Sequence, residues 1–323
     1  MLAMMKSAGR SLAAVVLCLG LTASVGCQAK EEPATAGASP TAGPTASPTT
    51  SAAEAKPVVV PPGVNAGVAV FDRKTAAFTT QVNATTRFRS ASLVKVLIAM
   101  DYLWDRAPDY AIPAADRIQL ELMLRGSDDK AATYFWQLVG GEPAIVRMIT
   151  RLSLENTKPP SAVGLKGWGS TTLSANDIVR IYQYVLDNSS PLMREAIMGN
   201  LRLSTPCGTD RYHQTFGIPT AFGRPWTAKQ GWWGFGDQPA DVCSAQTALP
   251  MPAAAPAIRG AMPALMTGRV LHSTGTVGDG DRLIVAVLTQ YPSGTRFTDA
   301  AAAITLLMRS LPVPEGIQLF DVR

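Results

Sequence analysis

"RSASLVKVLIAM", Arg89 to Met100, sets a lysine in the middle of an apolar run, three residues after Ser92. A lysine stem is cheap to bury but its charge is not. Lys95 therefore either snorkels to water or has a use where it stands. The apolar run from Ser90 to about Trp104 reads as a buried helix, and in a helix Ser92 and Lys95 share one face. Ser92 lies near its start, where free backbone N–H groups face anything attached to the serine oxygen. A serine hydroxyl needs a base to become a nucleophile, and a desolvated lysine is such a base. The pair alone is equally a helix start with a snorkelling lysine, and Ser127 and Lys130 repeat the spacing in a polar stretch.

Outward from this helix, "AGVAVFDRKT" and "AAFTTQV" read as two strands around a polar turn. Downstream, "AADRIQLELMLRG", "KAATYFWQLVGG", "EPAIVRMITRLSL" and "SANDIVRIYQYVLDN" carry apolar residues three and four apart and read as helices. "WTAKQGWWGF", "GRVLHSTGTVG" and "RLIVAVLTQYP" return to strands, and "TDAAAAITLLMRSL" closes as a helix. The expected fold is α/β: one antiparallel sheet built from both chain ends, with an inserted all-helical lobe and a cleft between them.

The 323 residues are 47% hydrophobic, enough for a large domain. Residues 1–27 read as an export signal, with Lys6 and Arg10 before a short apolar core. The signal ends in "ASVGC", which resembles the lipid-attachment box of bacterial lipoproteins and makes Cys27 the lipid site. Ser24 stands where that box usually carries Leu. Residues 28–57 are Ala, Thr, Pro, Ser and Gly with few large apolar residues, and read as a disordered tether. Residues 58–323 form the folded body. Cys18 leaves with the signal, so Cys207 and Cys243 remain as an exported pair expected to form a disulfide. No Cys or His cluster has metal-ligand spacing. The formal charge of +5 is scattered, without a basic run among aromatics, which argues against nucleic-acid binding.

Three elements in order change the weight of Ser92 and Lys95. Ser92-x-x-Lys95 is followed by Ser127-Asp128-Asp129 and then by Lys229-Gln230-Gly231. The series resembles the S-x-x-K, S-D-N and K-T-G elements of class A β-lactamases and penicillin-binding proteins. "LVGG" and "STTLSANDIV" also resemble class A segments. The resemblance implies a serine β-lactamase-like fold with Ser92 as the acyl-forming nucleophile and Lys95 as its activating partner. Ser127 would relay a proton to the leaving nitrogen, and Lys229 would hold Ser127 and attract a substrate carboxylate. The N–H groups of Ser92 and Trp232 would form the oxyanion hole, beside Asp129, Gln230 and Gly231 on the substrate. The implied substrate is a β-lactam or a D-alanyl-type wall peptide, at a membrane reached through the lipid, with no cofactor and as a monomer.

The departures are specific. Asp129 replaces Asn and Gln230 replaces Thr or Ser. Trp232 and Trp233 are bulky enough to wall a cleft or to pack on the sheet. Between Gly141 and Ser170, where a class A enzyme carries the E-x-x-L-N glutamate that activates water, the only acids are Glu142 and Glu155. Acylation with slow deacylation is the expected behaviour. A D,D-peptidase or esterase, or a degenerate wall-binding lipoprotein, is the alternative. His213 and His272 lack a G-x-S-x-G partner and read as structural.

Overall fold

A computed structural model describes residues 57–244, 249 and 256–320. The signal and tether readings, with Cys18 and Cys27, lie outside the described residues apart from Pro57.

The strands are β1 (Asn65–Asp72), β2 (Ala77–Val82), β3 (Phe88–Arg89), β4 (Thr172–Leu173), β5 (Trp226–Trp233), β6 (Arg269–Val277) and β7 (Leu283–Tyr291). Five of them form one antiparallel sheet in the order β2-β1-β7-β6-β5, while β3 and β4 pair separately. The N-terminal hairpin thus docks on the C-terminal strands, with Asn65 opposite Gln290 and Asp72 opposite Leu283.

The central strands are buried on both faces, and their period-two alternation sorts residues between two cores. Ala69, Phe71, Ile284, Ala286 and Leu288 face the helical lobe, while Val68, Val70, Val285 and Val287 face the other side. Each such fully buried aliphatic contributes about 1.5–3 kcal/mol by burial.

The lobe contains α1 (Lys95–Trp104), α2 (Ala114–Arg125), α3 (Asp129–Leu138), α4 (Glu142–Leu152) and α5 (Ala175–Gln183). Short helices α6 (Pro191–Arg194), α7 (Asn200–Arg202) and α8 (Ile218–Ala221) lead back to the sheet. Helix α1 is apolar almost all round because it runs through the centre; Val96 to Leu103 are all buried. Its one buried acid, Asp101, is held by Arg147 and, at 2.9 Å, by Arg151, both on α4. The second core is closed by α9 (Phe297–Arg309), through Ala300, Ile304, Leu307 and Met308.

Cys207 and Cys243 are disulfide-bonded across 36 residues of sequence. The bond pins the segment after α7 to the chain beyond β5.

Candidate active site

Ser92 sits in a single 3-10 turn, Ala91–Val94, and Lys95 is the first residue of α1. Ala91 holds φ +46° and Ser127 φ +55°. Neither residue type favours the left-handed region, and such backbones cost about 1–3 kcal/mol each. They flank the two hydroxyls of the site. Ser127 does not cap the following helix: Asp128 does, its carboxylate accepting the Ala131 N–H at 2.7 Å. Ser127 is therefore left to face inward.

The Ser127 hydroxyl lies between two ammonium groups. Lys229 Nζ donates to Ser127 Oγ at 2.7 Å, and Lys95 Nζ approaches the same oxygen at 3.4 Å. Lys95 also donates to the Ser127 carbonyl at 2.5 Å and to Asp129 Oδ1 at 2.7 Å. Both lysines are fully buried. Burial pushes the Lys95 ammonium below its ordinary proton affinity, and Asp129 pulls it partly back. Lys229 lies further below, through burial first and the charge of Lys95 second.

Ser92 opens on a cavity of about 450 Å³ walled by Asp129, Trp168, Asp210, Trp232 and Trp233. Strand β5 forms one side. Gly231 allows a close approach there: a Cβ would stand 3.1 Å from the Ser90 carbonyl oxygen and 3.3 Å from the Ser92 nitrogen and Leu93 Cγ. Trp232 and Trp233 line the cavity. The Trp232 indole N–H donates to Asp210 Oδ2 at 2.9 Å, and Arg89 stacks on Trp233 at 3.8 Å from its ring centre.

Gln230 corrects one expectation. Its side chain is not on the cavity wall: it donates to the carbonyls of Gln214 at 3.0 Å and Phe216 at 2.6 Å. The alternation of β5 sends Lys229 toward Ser127 and Gln230 toward the 214–216 loop.

The two acids between Gly141 and Ser170 are engaged elsewhere. Glu142 binds Ser161, and Glu155 pairs with Arg180 at 2.6 Å on the surface. The residue of that interval nearest the chemistry is Trp168, whose ring lies 4.8 Å from Lys95 Nζ.

His272 is fully buried and structural in role. Its Nδ1 accepts the Thr289 N–H, so Nε2 carries the proton and donates to the Arg89 carbonyl at 2.8 Å. Burial lowers it to about 4. His213 is buried too, and burial lowers its proton affinity. Among the described residues no group of three or more His, Cys, Asp or Glu could hold a metal ion. None of the described helices is long and apolar enough to cross a membrane.

Asp210 was not visible as a site residue in the sequence. It follows the disulfide cysteine by three positions in an irregular loop, and only its bonds to Trp232 and to the Tyr212 N–H bring it to the cavity. Burial raises its proton affinity.

Solved structures share the fold. PBP-A superposes with a TM-score of 0.53 at 17% identity, over 78% of this chain and 90% of that one. An ancestral class A β-lactamase gives 0.53 at 15% identity over 77% and 93%. The class A β-lactamase of Mycobacterium abscessus gives 0.50 at 16% identity, over 76% and 92%. The fold is that of the class A β-lactamases and of PBP-A. No family profile matches the sequence. Among curated proteins, the chain is 39% identical over 175 residues to "Putative lipoprotein LppW" of Mycobacterium tuberculosis and of Mycobacterium bovis. The match spans 53% of this chain and about half, 54%, of those relatives.

Proposed function

We propose that this β-lactamase-like protein is an exported serine hydrolase that forms an acyl-enzyme on Ser92. Its substrate is a β-lactam or a D-alanyl-type peptide, and it releases the acyl group slowly. The observation that carries the reading is the Ser127 hydroxyl held between Lys95 and Lys229 beside the cavity onto which Ser92 opens.

In this reading neutral Lys95 takes the Ser92 proton as the serine oxygen attacks the acyl carbon. The Ser92 and Trp232 N–H groups receive the oxyanion; losing one such donor typically costs about 3–4 kcal/mol. The carbon–nitrogen bond then breaks, and the leaving nitrogen takes a proton through Ser127, which is resupplied by the lysine pair. Gly231 lets β5 approach the nucleophile, and Asp129 holds Lys95. Deacylation is slow because Trp168, rather than a glutamate, is what the Gly141–Ser170 interval brings near Lys95, while Glu142 and Glu155 are committed elsewhere. No cofactor takes part.

A second reading, a non-catalytic wall-binding module, is favoured by Asp129. Its carboxylate stabilises Lys95 as the ammonium, the form that cannot accept a proton. Labelled penicillin separates the two. A lasting mass increment on Ser92, absent from Ser92→Ala, supports the enzyme. Rapid turnover of a chromogenic cephalosporin overturns slow deacylation, and no adduct with folded protein favours the module.

The relatives' description as a putative lipoprotein supports a lipid anchor, whose site in this reading is Cys27, with the body on the outer face of the membrane. Cys27→Ala is expected to move the protein from the membrane to the soluble fraction; unchanged fractionation removes the anchor.

A further inference from the structure

The charges on the cavity wall are opposite to those that a carboxylate-seeking site would present. Asp129, Asp210 and Asp237 line it, and among the described residues no lysine or arginine does. Both ammonium groups lie behind the wall. Lys95 is taken by Asp129, and Lys229 by the Ser127 hydroxyl and the Gln230 carbonyl. Arg89 is covered by the Trp233 ring.

Asp210 is the telling member. It is half-buried, and its carboxylate is fixed by two neutral donors, Trp232 Nε1–H at 2.9 Å and Tyr212 N–H at 3.2 Å. No cation pairs with it among the described residues. Lys95 acts on Asp210 only from a distance, and a part-buried carboxylate without a direct ion pair is costly unless something supplies one. The remaining wall is aromatic: Trp168, Trp232 and Phe235 line the same cavity. Indole faces attract ammonium groups, the more so when water is excluded. An aromatic cavity whose Asp210 carboxylate makes no ion pair, beside a serine, is chemistry for a cation.

We propose that the site selects acyl donors that carry an ammonium group on the acyl side, held by Asp210 among the indole rings. The proposal rests on Ser92 acylation as described above and names its substrate class. An anionic acyl group at the same place meets Asp129, Asp210 and Asp237, a like-charge contact that disfavours it.

Three penicillins isolate the effect. Benzylpenicillin, ampicillin and carbenicillin differ at one carbon of the acyl side chain, which carries hydrogen, an amino group or a carboxylate. Acylation of the soluble body is followed by intact mass, at a pH where the amino group is protonated. Ampicillin is expected to label fastest and carbenicillin slowest, by about tenfold or more between the two. The spread should narrow in Asp210→Asn and in high salt. Equal rates, or carbenicillin fastest, overturn the inference while leaving Ser92 acylation standing.

If none of the three labels the protein, the acylation reading fails. The cation site is then tested with benzylammonium against neutral benzyl alcohol, reading tryptophan fluorescence of Ser92→Ala. Preferential, salt-sensitive quenching by benzylammonium supports the cation site; no preference overturns it. Salt dependence on the otherwise unaltered protein keeps the test open should Asp210→Asn fold poorly.

Discussion

Lys95 answers its own sequence puzzle through its contacts. It is buried among apolar neighbours and makes hydrogen bonds at Ser127 and Asp129 rather than reaching bulk water. Because burial favours the neutral forms of Lys95 and Lys229, acylation should rise with pH through a transition below the ordinary lysine value of 10.5. The second-order rate of penicillin labelling against pH checks this; a flat profile contradicts lysine as the base. The same depression acts on stability. Over the window between the lowered values and 10.5 the unfolded chain binds protons that the fold has released, so these lysines make stability climb with pH. Lys95→Ala should abolish labelling with the circular-dichroism spectrum unchanged, and retained labelling would remove Lys95 from the chemistry. At this scale motif spacing pointed to Ser92, Lys95, Ser127 and Lys229; the last three meet in the fold and Ser92 lines the cavity. The sequence concealed Asp210, whose position depends on a loop path, and it misdirected Gln230, whose facing depends on strand alternation against a loop.

Two elements carry consequences of their own. Strand β5 approaches the nucleophile turn so closely that Gly231→Ala presses on the Ser90 carbonyl, the Ser92 N–H and the Leu93 side chain. Acylation should fall by about tenfold to a hundredfold, as misplacements of up to an ångström do, with only a small shift in melting temperature. Comparable losses in both would point to a packing role instead. Helix α1 keeps Asp101 at its centre only because α4 supplies Arg147 and Arg151. Replacing both arginines by alanine leaves a buried carboxylate alone and should cost about 3–5 kcal/mol in urea denaturation; a loss under about 1 kcal/mol would show that Asp101 finds other partners. The helices were legible because three-four spacing survives in each, and α1 stood out by being apolar all round. The helix start at Asp128 was not assigned from sequence, because Ser127, Asp128 and Asp129 are all competent caps and only backbone geometry selects among them.

For the molecule as a whole, the disulfide joins chain that is otherwise held by loops on either side of β5. Closing 36 residues contributes about 3–4 kcal/mol in the chain-entropy account. Reduction or Cys207→Ser is therefore expected to lower the unfolding midpoint by that order. It should also weaken penicillin labelling, since Asp210, the partner of the Trp232 indole, sits three positions on from Cys207. Labelling unchanged in a destabilised variant would confine the bond to a structural role. The two-lobed plan was readable from the order of patterns, strands at both ends and helices between. The strand order was not, since β1 lies beside β7 rather than β5, a choice made by burial of both faces together.

That pairing has a temporal meaning. Asn65 meets Gln290 across most of the body, so the sheet cannot close until nearly all of the polypeptide is present. Contacts of such long range form late and slowly. While synthesis proceeds, the hairpin β1–β2 waits without its neighbour, and only the helical lobe, contiguous in the chain, has partners at hand. A polypeptide that postpones its sheet in this way stays open, its two ends unjoined, until its last strands arrive.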